Sequence, residues 1–114
     1  MTEIEVKIEF EAFKERTAGD KNLMRDLLSC FKKEFIDTRN TLTKLFLAND
    51  NVGIANEFHK LKGSIGIFGF SNVSEKICEL ENMAKSESCS RIIDDTNCLL
   101  NAIEGHVEVL EKSI

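Results

Sequence analysis

The sequence has no proline, tryptophan or tyrosine, and only two histidines. Without proline, breaks between elements must come from clusters of Gly, Asn, Asp and Ser. Without tryptophan or tyrosine, core packing rests on Phe, Leu, Ile and Val. No apolar run approaches the ~20 residues needed to span a bilayer. The start "MTEIEVKIEF" carries neither a signal-peptide pattern nor a transit peptide, so a cytoplasmic protein without membrane association is expected. Positive charge is also in deficit, with 15 Lys and Arg against 20 Asp and Glu and a formal net charge of −5. A nucleic-acid binder needs a basic face to displace counterions, so the charge argues against that class. The four cysteines, Cys30, Cys78, Cys89 and Cys98, form no C-x-x-C pair, and three fall in periodic apolar segments. Reduced, mostly structural thiols are expected, and neither a disulfide scaffold nor a zinc site.

A chain of 114 residues, 42% hydrophobic and 31% charged, suits one globular domain over 1–114. The breaks fall at "TAGD" (17–20), "ANDN" (48–51), "GFS" (69–71) and "SESCS" (86–90), and the apolar spacing between them is helical. Leu23, Leu27, Phe31, Phe35, Thr38, Leu42 and Leu45 mark one stripe, and Ile54, Phe58, Leu61, Ile65 and Phe68 the next. Val73, Ile77, Leu80 and Ala84 mark a third, and Ile92, Leu99, Ile103, Val107, Leu110 and Ile114 a fourth. Asp20 and Ser71 are placed to cap their helices. Phe10 and Phe13 suggest a short extra helix. "EIEVKIEF" alternates like a strand but has no partner, so a loose arm is expected there. The fold class is all-α: an antiparallel four-helix bundle with a short additional N-terminal helix.

Within that bundle "FHKLKGSIGIFGF" (58–70) stands out, because glycine in a helix interior costs about 1 kcal/mol relative to alanine. On a helical wheel His59 lies roughly 140° from the centre of the core stripe, so it points into water. Ala55 and Asn56 before it, and Gly63 and Gly66 after it, leave a strip of small or short side chains through which a rigid partner could approach the imidazole. The two glycines forgo about 2 kcal/mol of helix propensity, and such a cost on a solvent face hints at function. A neutral imidazole is a competent nucleophile near neutral pH. Lys62, one turn away, can stabilise the nearly double negative charge of a phosphoryl group on it. No acidic residue lies on the His59 strip. Leu28, Ile36 and Ile67 fall off the main stripes, as a docking patch or as the margin of a wide core stripe. His106 reads as a boundary-position histidine.

"HKLKGSIGIFG" resembles the signature of histidine-containing phosphotransfer (HPt) domains: a phospho-accepting His, an apolar residue at +2, Lys at +3, Gly at +4 and an apolar–Gly pair at +9 and +10. These are His59, Leu61, Lys62, Gly63, Phe68 and Gly69. "SEKICELENMAKS", with Cys78, Leu80, Glu81 and Ala84, resembles the family's next helix. "AGDKNLMRDLLSCFKKEF" and "LAND" resemble the preceding helix and its turn, so the likeness covers most of 18–86. Phe58 departs from the pattern, where a small residue often precedes the histidine; its place on the core stripe makes this a packing variation.

The resemblance implies that His59, through Nε2, takes a phosphoryl group from an aspartyl phosphate on one receiver domain and passes it to an aspartate on another. It implies response-regulator receivers and a hybrid histidine kinase as partners. It implies no cofactor of the protein's own, with Mg²⁺ on the receiver, and a carrier rather than an enzyme. A monomer is expected, and the initial Met favours a separate protein. The alternative is a helical-bundle module that docks receivers without accepting phosphate. A dimerising kinase domain is disfavoured, because Lys60 stands where an acidic residue would follow the histidine. "GSIGIFG" matches no nucleotide-binding loop, and "NDNVGIANEF" lacks the ligands of a calcium loop.

Overall fold

A computed structural model describes residues 3–87 and 89–114, with side chains from Phe10 to Glu87 and from Ser90 onward. The elements are α1 (Glu3–Arg16), α2 (Lys21–Leu47), α3 (Asn51–Ile65), a 3₁₀ turn (Gly66–Phe68), α4 (Ser71–Ser86) and α5 (Cys89–Ser113). Helix α2 packs on α3 and α5, and α4 packs on α3 and α5, which closes a ring of four helices. Helix α1 lies outside that ring, against the 3₁₀ turn and α5. The 27 residues of α2 span about 40 Å at 1.5 Å per residue, matching the 42 Å long axis of the molecule. Among the described residues no helix is long and apolar enough to cross a membrane.

The helices start and stop where short polar side chains replace the missing proline. Asp20 caps α2 by accepting from the Leu23 N–H at 3.1 Å, and Asp50 caps α3 by accepting from the Gly53 N–H at 2.9 Å. Asn49, between α2 and α3, takes the left-handed conformation that Asn tolerates. Gly53 sits where a Cβ would come within 2.6 Å of the Leu45 side chain and 2.7 Å of the Asp50 carboxylate, so a larger residue there would have to displace the ends of both side chains. Ser71 does not cap α4. It is the first helical residue, and its hydroxyl donates to the Gly69 carbonyl, while Phe70 occupies the cap position with its ring in the core.

The interior is built on aromatic and aliphatic side chains from every element. Phe13, Phe58, Phe68, Phe70, Ile54, Ile65, Ile77, Leu80, Ile92 and Ile103 are almost wholly buried. Phe68 meets Phe13 at 4.9 Å, Phe31 at 5.2 Å and Phe70 at 6.2 Å between ring centroids, joining α1, α2 and the α3–α4 corner. Ring pairs in this range each add about 0.5–1.5 kcal/mol beyond area burial.

Several expectations are corrected. The stretch expected as a loose arm is helical from Glu3, since Phe10 and Phe13, three residues apart, share a helix face that packs on the bundle; Met1 and Thr2 lie outside the described residues. On α2 the stripe runs through Met24 and Leu28, which are buried, and leaves Leu23 exposed. An α-helix that packs on two neighbours buries a face wider than a single seam, which accounts for Leu28. Ile36 remains exposed. Cys30 and Cys98, expected in structural positions, are exposed free thiols, and Cys78 is half-buried. The Cys89 side chain lies outside the described residues.

Candidate functional site

The third helix delivers one side chain of unusual chemistry to the surface. Phe58, Leu61 and Ile65 bury their side chains in the core and fix the rotation of α3. Residue 59, one step of about 100° past the buried Phe58, is thereby turned outward, and the His59 side chain is 71% exposed. Its Nδ1 lies 3.3 Å from Oε1 of Glu81 on α4. The same oxygen is 3.7 Å from Nζ of Lys62, and Oε2 accepts from Nζ of Lys85 at 3.2 Å.

Glu81 is thus a buried carboxylate with three basic neighbours. Burial alone raises its pKa. The hydrogen bonds from Lys85 and His59, with the charges of Lys62 and Lys85, outweigh that and hold it below the ordinary carboxylate value. Glu81 is therefore ionised near neutral pH and can only accept hydrogen bonds. A hydrogen bond with it requires a proton on Nδ1, and in the neutral ring that puts the lone pair on Nε2. The exposed ring can act as a nucleophile through Nε2.

The surroundings divide the expected site residues. A Cβ added at Gly63 or Gly66 would meet nothing within 4 Å, so neither glycine is demanded by packing within the chain. Asn56 is exposed, and Ile67 is 37% exposed on the 3₁₀ turn. Ala55, expected on the accessible strip, is instead only 4% exposed. Its methyl group is too short to extend past the packing of α3 between its neighbours, whereas the imidazole one turn later is long enough to do so. Lys62 is on the same side as His59 but leans towards Glu81.

Glu81 and Lys85 are the residues that the wheel of α3 could not supply. The signal lay in α4: Glu81 sits on the apolar stripe of Ile77, Leu80 and Ala84, with Lys85 one turn on. An acidic residue on a buried stripe is uncommon unless it is paired. His106, expected at a boundary, is half-buried with its ring 5.3 Å from that of Phe70.

The chain matches the family model of the Hpt domain over residues 26–112, and it belongs to that family. No curated protein and no solved structure matches it. Membership places the protein in histidine phosphotransfer, among the receiver and kinase partners of two-component phosphorelays. The match extends through α5, beyond the 18–86 segment that carried the resemblance, and leaves α1 outside.

Proposed function

We propose that this protein is a phosphorelay intermediate that carries a phosphoryl group on His59. Nε2 attacks the phosphorus of an aspartyl phosphate on a receiver domain, the N–P bond forms as the acyl P–O bond breaks, and the receiver carboxylate leaves. Attack by the neutral ring puts positive charge on the imidazole, which the Glu81 carboxylate beside Nδ1 stabilises. Lys62 releases Glu81 and turns to the phosphoryl oxygens, while Lys85 continues to neutralise the carboxylate. The reverse step delivers the group to an aspartate on a second receiver. The protein needs no cofactor of its own, the Mg²⁺ being the receiver's, and it works as a single monomeric domain in the cytoplasm. A hybrid histidine kinase supplies the phosphoryl group.

The observation that carries this reading is the exposed His59 ring with its Nδ1 against a buried carboxylate. Exposed Gly63 and Gly66, Asn56 and Ile67 give a partner a low rim on which to close. The test is incubation of wild type and His59→Gln with receivers labelled by radioactive acetyl phosphate. Transfer to the wild type in an acid-labile, base-stable linkage, absent in His59→Gln, supports the reading. Labelling that survives His59→Gln refutes the site. Full signalling activity by an unphosphorylated His59→Gln variant would show a docking module instead.

A further inference from the structure

The outer side of the 3₁₀ turn that ends the histidine helix is held from outside the bundle ring. Thr17, only 3% exposed, donates its hydroxyl to the carbonyls of Phe13 and Lys14, and the Gly19 N–H donates to Lys14 at 2.9 Å. Ala18 and Gly19 then turn the chain through the left-handed region. These bonds fix the end of α1 and with it the root of Arg16. Nη1 of Arg16 reaches across to the carbonyls of Ile67 at 3.1 Å and Gly66 at 3.3 Å, fifty residues away in sequence. Both carbonyls belong to the turn after α3, where the helix dipole favours a cation, and that of Gly66 also accepts from the Gly69 N–H.

The two sides of this turn are secured differently. Its inner side is anchored by Phe68, 1% exposed and stacked among Phe13, Phe31 and Phe70. Its outer side, with Gly66 and Ile67, carries no such anchor and is met by the exposed Arg16 guanidinium. Gly66 lies seven residues after His59, two helical turns on and on the same strip. The segment held by Arg16 is therefore the far rim of the surface that a partner must cover to reach Nε2.

We propose that Arg16 is a positioning residue for partner docking: by bonding the Gly66 and Ile67 carbonyls, it fixes the rim on which a receiver domain seats, without touching His59. This rests on the carrier reading above. A rim that is ordered beforehand spares the partner the cost of ordering it on binding. Arg16 should then govern how tightly a receiver docks and leave the chemistry at Nε2 unchanged. The element that supplies it, α1, lies outside the segment matched to the Hpt domain, so this tuning belongs to the part that surrounds the family core in this chain.

The test uses the full chain with Arg16→Ala and Arg16→Lys. Both bonds come from one nitrogen, so a lysine ammonium can restore them. The receiver is the one, charged with acetyl phosphate, that transfers fastest to the wild type. Three readouts are compared: transfer against receiver concentration, direct labelling of His59 by phosphoramidate, and hydrogen exchange of the Gly69 amide, which bonds the Gly66 carbonyl. Arg16→Ala is expected to raise the half-saturating receiver concentration about fivefold, the effect of ordering roughly one backbone residue on binding. The limiting rate and phosphoramidate labelling stay unchanged, Gly69 exchanges faster, and Arg16→Lys behaves nearly as wild type. An unchanged half-saturating concentration in Arg16→Ala overturns the proposal, as does an equal loss in transfer and in phosphoramidate labelling. Failure of the wild type to accept phosphate from any receiver would instead sink the carrier reading and this proposal with it.

Discussion

Replacing Glu81 by alanine removes the acceptor that keeps the His59 proton on Nδ1. A hydrogen bond to a charged group contributes about 1.5–3 kcal/mol when well made. Here the contact is 3.3 Å long and the imidazole is 71% exposed, so solvent screening brings its net worth down to about 1 kcal/mol. That bias corresponds to about fivefold in the population of the ring with a free Nε2 lone pair. The carboxylate also stabilises the positive charge that develops on the ring during attack, so the loss in transfer rate should reach about five- to tenfold. Glu81→Gln keeps an oxygen acceptor but no charge, and should fall between wild type and Glu81→Ala. The assay is rapid-quench transfer from a phosphorylated receiver, alongside ¹⁵N spectra of the His59 ring, which separate the two tautomers. A Glu81→Ala variant that keeps the Nδ1–H tautomer and transfers at the wild-type rate would refute the reasoning.

The same carboxylate predicts a pH dependence of stability. Its folded pKa lies below the ordinary 4.5, so its stabilising contribution is complete above that value and is lost as pH falls through the folded pKa. The Tm difference between wild type and Glu81→Gln should shrink as pH falls below 4.5; a difference that grew over that acid range would contradict the assignment. Lys62→Ala should shorten the lifetime of the phosphorylated protein, read by loss of label over time, while lowering stability by at most about 1 kcal/mol because the Glu81 contact is partly exposed. Gly63→Ala should stabilise the fold by about 1 kcal/mol in urea titrations, since the added Cβ meets open space, whereas Gly63→Gln should slow receiver transfer severalfold without unfolding. Phe68→Ala should cost about 3–5 kcal/mol and show as a large fall in Tm, because its ring is 1% exposed and joins three others.

The helices of the bundle were legible because their signals are local. The spacing of Ile54, Phe58, Leu61 and Ile65 sets the buried face of α3, and that face alone sends His59 outward. Asp20 announces a helix start through a bond to a backbone N–H three residues on. Where two tendencies compete, the local signal misled. Alternation of Ile4, Val6 and Ile8 suits a strand, yet a strand needs an edge to pair with, and helix formation satisfies the backbone within the segment. Leu23 and Met24 are both apolar, and only the packing of α2 on its neighbours decides that Met24 goes inside.

The sequence by itself determined an all-helical chain, the outward histidine and the bare glycine strip beside it, because each follows from a period of 3.6 residues within one helix. The tertiary structure alone decided that Glu81 faces Nδ1, that Lys62 and Lys85 share its charge, that Ala55 is covered, and that Arg16 reaches the turn after α3. Those contacts join separate helices, and their register depends on how whole faces pack. A one-dimensional pattern carries the rotation of each helix about its own axis but not the height at which two helices meet.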